Sequence, residues 1–247
     1  MKFLVSYLVG FLFFCTGSGL FAQGFIDVEA GAAFTGYNDV QIPSDSGTRF
    51  SLTDEIVSSP AVVLRARGGL TMAGRHSIFI LAAPLTVRGS GTLERDITFQ
   101  GKIFRQGTEI HSTYRFDSYR LTYRYTAIDR AGFSMGAGLT AKIRSAGIAL
   151  MSDSAYARRT DLGVVPLINL MVRYKMTEKA GLLLESDALW SPYGRAEDVL
   201  LAFQYSPKES HTLRIGYRML EGGADGGGKV YTFSLFHYLT AGITVKF

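Results

Sequence analysis

The chain of 247 residues is poor in several things at once: it has one cysteine, one tryptophan and six prolines, and only 19% of it is charged. It also lacks any long apolar run beyond its N-terminus. A membrane helix takes about 20 consecutive apolar residues, so helical spans are excluded over the rest of the chain. The lone Cys15 leaves no pair for a disulfide. No His, Cys and carboxylate spacing suggests a metal site. No cofactor motif appears either: Gly222 to Gly228 is glycine-rich but lacks the Lys-Ser/Thr and following helix of a phosphate loop, and reads as a hairpin tip. The net charge of +5 comes from basic residues spread along the chain. Without a dense basic tract, nucleic acid is not an expected partner. Nothing resembles a Pro/Ser-rich linker, so one domain is expected.

The N-terminus reads as an export signal. Lys2 is a short basic start, Phe3 to Phe14 is an apolar core, and Thr16 to Ala22 is a small and polar tail. Residues 1–22 are assigned to this segment and 23–247 to the mature domain. Phe14 before Cys15 is a poor fit to lipid attachment, which favours a small residue there. Cleavage after Ala22 removes the only cysteine.

What the chain does have is alternation. Ten strand-like segments recur, at about 24–36, 59–72, 76–88, 112–127, 131–145, 161–176, 179–190, 197–206, 210–220 and 229–247. In the fifth, Phe133, Met135, Ala137, Leu139, Ala141 and Ile143 share one face. Ser134, Gly136, Gly138, Thr140, Lys142 and Arg144 share the other. The third segment, Ile78 to Leu85, does not alternate cleanly. Connections alternate too. Asn38–Ser58, Gly89–His111 and Ala146–Thr160 are long, whereas those near Gly74, Asp129, Glu178 and Lys208 are short. A soluble meander has no reason for that rhythm. A transmembrane barrel does, with short turns on one side and long loops on the other.

An inside-out soluble barrel of the lipocalin or fatty-acid-binding kind would alternate similarly. Three features favour the membrane: aromatic residues near strand ends, small residues mixed with Arg on the opposite faces, and a final apolar-alternating strand ending in Phe247. That ending, Leu239-Thr240-Ala241-Gly242-Ile243-Thr244-Val245-Lys246-Phe247, resembles the terminal strand of bacterial outer-membrane β-barrels. The layout is similar to the small OmpA-, OmpX- and OmpW-type barrels, although those mostly have eight strands. The resemblance implies an all-β fold, a single antiparallel barrel of about ten strands (eight or twelve as the margin), integral in the outer membrane. It implies contact with outer-membrane lipid and lipopolysaccharide, and recognition of Phe247 by the barrel-assembly machinery. It carries over no activity by position.

If the apolar faces meet lipid, ten basic residues point inward: Arg65, Arg67, Arg120, Arg124, Lys142, Arg144, Arg173, Lys175, Arg214 and Arg218. Asp27, Glu29, Glu185, Asp187 and Asp198 join them. The expectation is a structural network, because buried charges must be paired to be tolerated. The excess of basic groups leaves a narrow anion-leaning pore as the alternative. A lipid-modifying enzyme at the outer rim is the second alternative. Of the four histidines only His111 is well placed for it, with Ser112, Asp117 or Asp153 as conceivable partners. The Asp-x-His pair of the ten-strand outer-membrane proteases and the His-x-Ser spacing of the deacylases are both absent. The 89–111 loop reads as solvated, with a strand pair feasible over Thr98–Arg105. The leading expectation is therefore a non-enzymatic barrel with a structural or surface-interaction role.

Overall fold

Segments in which apolar and polar residues alternate give a sheet two unlike faces, and a sheet that curls on itself separates the two environments those faces need. A computed structural model, which describes residues 22–225 and 229–247, has that form: an antiparallel barrel of ten strands. They are β1 (Ala22–Gln41), β2 (Ala61–Met72), β3 (in two pieces, His76–Ala83 and Thr86–Thr92), β4 (Glu109–Arg130) and β5 (Phe133–Met151). Then follow β6 (Tyr156–Lys175), β7 (Ala180–Ser191), β8 (Gly194–Lys208), β9 (His211–Asp225) and β10 (Tyr231–Lys246). Each strand pairs with the next, and β10 returns to β1 from Phe25↔Lys246 to Gln41↔Tyr231. The closure leaves no edge over this span, as hydrocarbon requires. The segment expected to be an export signal, residues 1–22, lies outside the described residues, save Ala22, which opens β1.

The last residue takes part in closure. Gly24 and Phe247 exchange backbone hydrogen bonds at 2.8 and 2.9 Å. The Phe247 ring lies over Gly24, where a Cβ would sit 2.4 Å from the ring. The short turns share the end of the barrel that holds both described termini. Ala73 and Gly74 form one of them with φ of 48° and 67°, the left-handed pair that suits the twist of a hairpin.

Apolar side chains cover the outside. Val62, Leu139, Leu162, Val164, Ile215 and Leu239 are each more than half exposed. Such a continuous apolar surface is foreign to a water-soluble monomer and suits lipid. Tyr125, Tyr174 and Tyr205 sit on this face toward the short-turn ends of their strands.

Two expectations need correction. Ala146–Thr160 is not a loop. β5 and β6 pair without interruption to Met151↔Tyr156, and only Ser152–Ala155 turns. Small and polar residues there belong to a hairpin that outruns β7, whose pairing with β6 ends at Ile168↔Ala188. The 89–111 connection is not simply solvated either. Its tip is the hairpin Ile97–Phe99/Lys102–Phe104, yet Ile97, Phe99 and Phe104 are fully buried while Ile103 is exposed. The first connection folds in beside it, with Phe50 paired to Val40 and Val57 to Ser90. The third segment does not alternate because both of its faces are apolar, Phe79 and Ala83 facing in and Ile78 and Ile80 facing out, and the strand then breaks at Pro84 and Leu85. Of the glycine-rich tip, Gly222 and Gly223 lie within β9, and 226–228 lie outside the described residues.

Candidate functional site

Strand alternation aims a row of residues from every strand into a lumen too narrow to hold water around all of them. Six arginines and five carboxylates fill its middle. β1 supplies Asp27 and Glu29, and β2 places Arg67 and Arg65 directly opposite them. Asp187 on β7 faces Asp198 on β8, and the arginines of β4 and β9 reach in to close the set.

The pairing is dense. Asp198 accepts from Arg65 at 3.0 Å, Arg120 at 2.6 Å and Arg218 at 2.5 Å. Glu29 accepts from Arg214 and Arg218, both at 2.9 Å, with Arg65 3.5 Å away. Glu185 takes Arg67 and Arg124 at 3.0 Å each. Asp27 pairs with Arg214 and lies 3.5 Å from Arg67. Asp187 is held by Arg120 at 2.7 Å, by Thr140 at 2.8 Å and by the Asn169 amide at 2.7 Å. Asn169 in turn accepts from Arg124 Nε at 2.7 Å. Planar guanidinium forks explain why arginine rather than lysine fills these places.

Four of the ten inward basic residues stand apart. Lys142 is buried beyond the network, its Nζ 4.7 Å over the Phe116 ring. Arg144 pairs with Asp161 on the half-exposed part of the β5–β6 hairpin. Arg173 and Lys175 lie on the other side of the network, on the wall of a cavity open at the short-turn end. Phe79, which sequence reasoning left unplaced, forms part of that cavity's lining, with Arg67 and Arg124 at 5.3 and 5.0 Å from its ring.

Above the network an apolar plug fills much of the lumen. Phe50, Leu52, Ile56, Ile97, Phe99 and Phe104 come down from the loops to meet Tyr114, Ile148, Leu150, Phe236 and Tyr238 on the barrel wall. Phe50 and Phe99 meet edge to face with centroids 5.9 Å apart. Sequence reasoning missed this plug. Its only signal was the apolar content of the connections, such as Ile97, Phe99 and Phe104 spaced among charges. The Tyr114 hydroxyl meets Ser234 Oγ at 3.0 Å, which satisfies its polar end.

The candidate rim chemistry does not assemble. His111 and Ser112 are adjacent on β4 and so point to opposite faces, Ser112 being buried and His111 exposed. Asp117 lies 3.7 Å from Arg115 and accepts from the Leu85 amide.

A closed ten-stranded antiparallel barrel, apolar outside and charged within, is the fold of a bacterial outer-membrane β-barrel protein. No protein-family model and no curated protein sequence matches the chain. Among solved structures it is similar to the outer-membrane protease OmpT of Escherichia coli, with a TM-score of 0.52 and 10% identity over 94% of this chain and 99% of that one. It is more loosely similar to the transport unit of the Escherichia coli autotransporter AIDA-I (0.47, 6%, 95% and 92%). The attachment invasion locus protein Ail of Yersinia pestis is looser still (0.40, 9%, 91% and 99%). At these identities the likeness is one of fold.

Proposed function

We propose that this protein is an integral outer-membrane barrel with a closed lumen, whose role is structural or lies in interactions at its outer face, and which neither conducts solutes nor catalyses a reaction. The observation that carries the reading is the residual space inside the charge network, about 30 Å³. That is room for about two or three water molecules, too little for a hydrated ion to pass, and the apolar plug lies beyond it. The apolar belt would contact outer-membrane lipid and lipopolysaccharide. The strand ending in Phe247 would be the part read by the barrel-assembly machinery.

The competing reading, a narrow anion path, needs basic groups free along the whole lumen. Here the middle of the lumen ties its arginines to carboxylates, and fixed pairs in a low-dielectric interior do not shuttle ions. The test is liposome swelling with small sugars and amino acids, using folded, heat-modifiable protein. Swelling no faster than protein-free liposomes is expected, and fast swelling overturns the closed barrel. The short turns and both described termini would face the periplasm and the long connections the outside, which single cysteines test. Asp96→Cys should react with an impermeant maleimide on intact cells, whereas Glu178→Cys should react only after the outer membrane is permeabilised. The reverse pattern overturns the assigned orientation.

A further inference from the structure

Between the charge network and the short-turn end, the barrel holds a cavity of about 610 Å³, open at that end and blocked at the other. Its charged lining is lopsided. Arg67, Arg124 and Arg214 belong to the network and are already engaged with carboxylates. A second group forms no such pair: among the described residues Arg173, Lys175 and Lys246 have no carboxylate within 4 Å, Glu185 and Glu209 acting on Arg173 and Lys246 only from farther off, and Arg173 and Lys175 are close enough to Lys246 to repel it. Arg130 and Lys179 add to the same wall, against Asp129 and Glu178. Hydroxyls of Thr71, Ser77, Ser206 and Thr212 surround them in hydrogen-bonded pairs at 3.0 and 2.9 Å.

Like charges gathered in a recess with low-dielectric walls raise the local concentration of counter-ions. Cations together with hydroxyl donors match the oxygens of a phosphate or similar oxyanion. A blocked cavity retains such a ligand rather than passing it on. We propose that this cup is a binding site for a multivalent oxyanion that enters from the short-turn side, with Arg173, Lys175 and Lys246 as its principal ligands. A free polyphosphate and the headgroup of an anionic phospholipid share this chemistry. If the short turns face the periplasm, as the proposed function has it, the ligand comes from there.

The test is calorimetric titration of the folded full barrel in neutral detergent with tripolyphosphate, and separately with short-chain phosphatidic acid. Saturable binding that weakens as salt rises is expected. The paired change Arg173→Gln with Lys246→Gln should weaken it by about tenfold or more, since each 1.4 kcal/mol is tenfold. Lys175→Gln, at the exposed end of β6, supplies a milder second variant should the pair disturb folding, and heat-modifiable migration reports the fold of each. Binding of tripolyphosphate alone identifies a soluble ligand, and preference for the lipid identifies a headgroup. No saturable binding of either, or binding indifferent to these changes, overturns the site. Detergent titration is blind to orientation. Labelling of Glu178→Cys on intact cells would therefore overturn the periplasmic entry while leaving the site standing.

Discussion

Asp187 and Asp198 lie directly opposite each other on β7 and β8, two buried carboxylates in register across one strand pair. Like charges so placed destabilise a sheet. Arg120 resolves the conflict from the far wall, giving Nη1 to Asp187 at 2.7 Å and Nη2 to Asp198 at 2.6 Å. One guanidinium thus ties β4 to β7 and β8 through the lumen.

Removing that side chain should be costly. Arg120→Ala leaves two buried carboxylates facing each other, and breaking a buried pair by removing one partner costs about 3–5 kcal/mol. The expected outcome is a clear fall in the urea midpoint of unfolding in detergent. Adding Asp187→Asn to the Ala variant should recover part of the loss, because it removes the repulsion. An unmoved midpoint for the single variant would contradict the bridging role.

The plug should be separable from the barrel. Phe99 is fully buried against Phe50, and truncating a buried Phe to Ala costs about 3–5 kcal/mol where the site cannot collapse. Much of that loss should appear as local opening of the loops, because segments of a protein unfold with their own free energies. Phe99→Ala is expected to make the 93–108 connection sensitive to protease while heat-modifiable migration persists. Unchanged resistance would show that the plug gains little from this contact.

The tip of that connection should loosen in acid. Asp96 accepts from the Gln106 amide at 2.8 Å and from Arg105 at 2.6 Å. These bonds hold its carboxyl below the usual carboxylate range, the Gln106 amide contributing most. A lowered folded-state value means that the stabilisation is present above the unfolded value of about 3.9 and is lost as pH falls through the folded one. Hydrogen exchange at the Gln106 amide, corrected for intrinsic rate, should therefore accelerate in that acid range in wild type. In Asp96→Asn it should depend little on pH. Acid acceleration of equal size in both would sink the assignment.

Strand spacing should be sensitive at Gly138. A Cβ there would lie 1.9 Å from the Tyr123 carbonyl oxygen and 2.7 Å from the Arg124 Cα. Both are backbone atoms, which cannot swing away. Gly138→Ala should destabilise by about 1–3 kcal/mol, the range for overpacking. A wild-type unfolding midpoint would show that β4 and β5 have slack there.

Much of this architecture was legible from residue order because lipid enforces a period of two. Phe133 to Arg144 declares its faces residue by residue, and turns such as Ala73-Gly74 mark the short connections. Legibility ended where lipid ended. From Ala146 to Thr160 both faces of a strand lie outside the apolar belt, so alternation fades and a long hairpin looks like a loop. The pairing of Arg120 with Asp198 was hidden for another reason: strands that are not neighbours have no register to read. Phe236 and Tyr238 broke the polar pattern of the inner face of β10. The reason is the plug, which depends on where two distant connections fold.

A lumen closed by paired charges and then by an apolar plug passes no current, which electrical recording from purified wild-type protein in planar bilayers measures. The expected result is a bilayer as tight as one without protein, at either polarity and in high or low salt, from samples verified as folded and inserted. Stable unitary current steps from such samples, above all anion-selective ones, would contradict it.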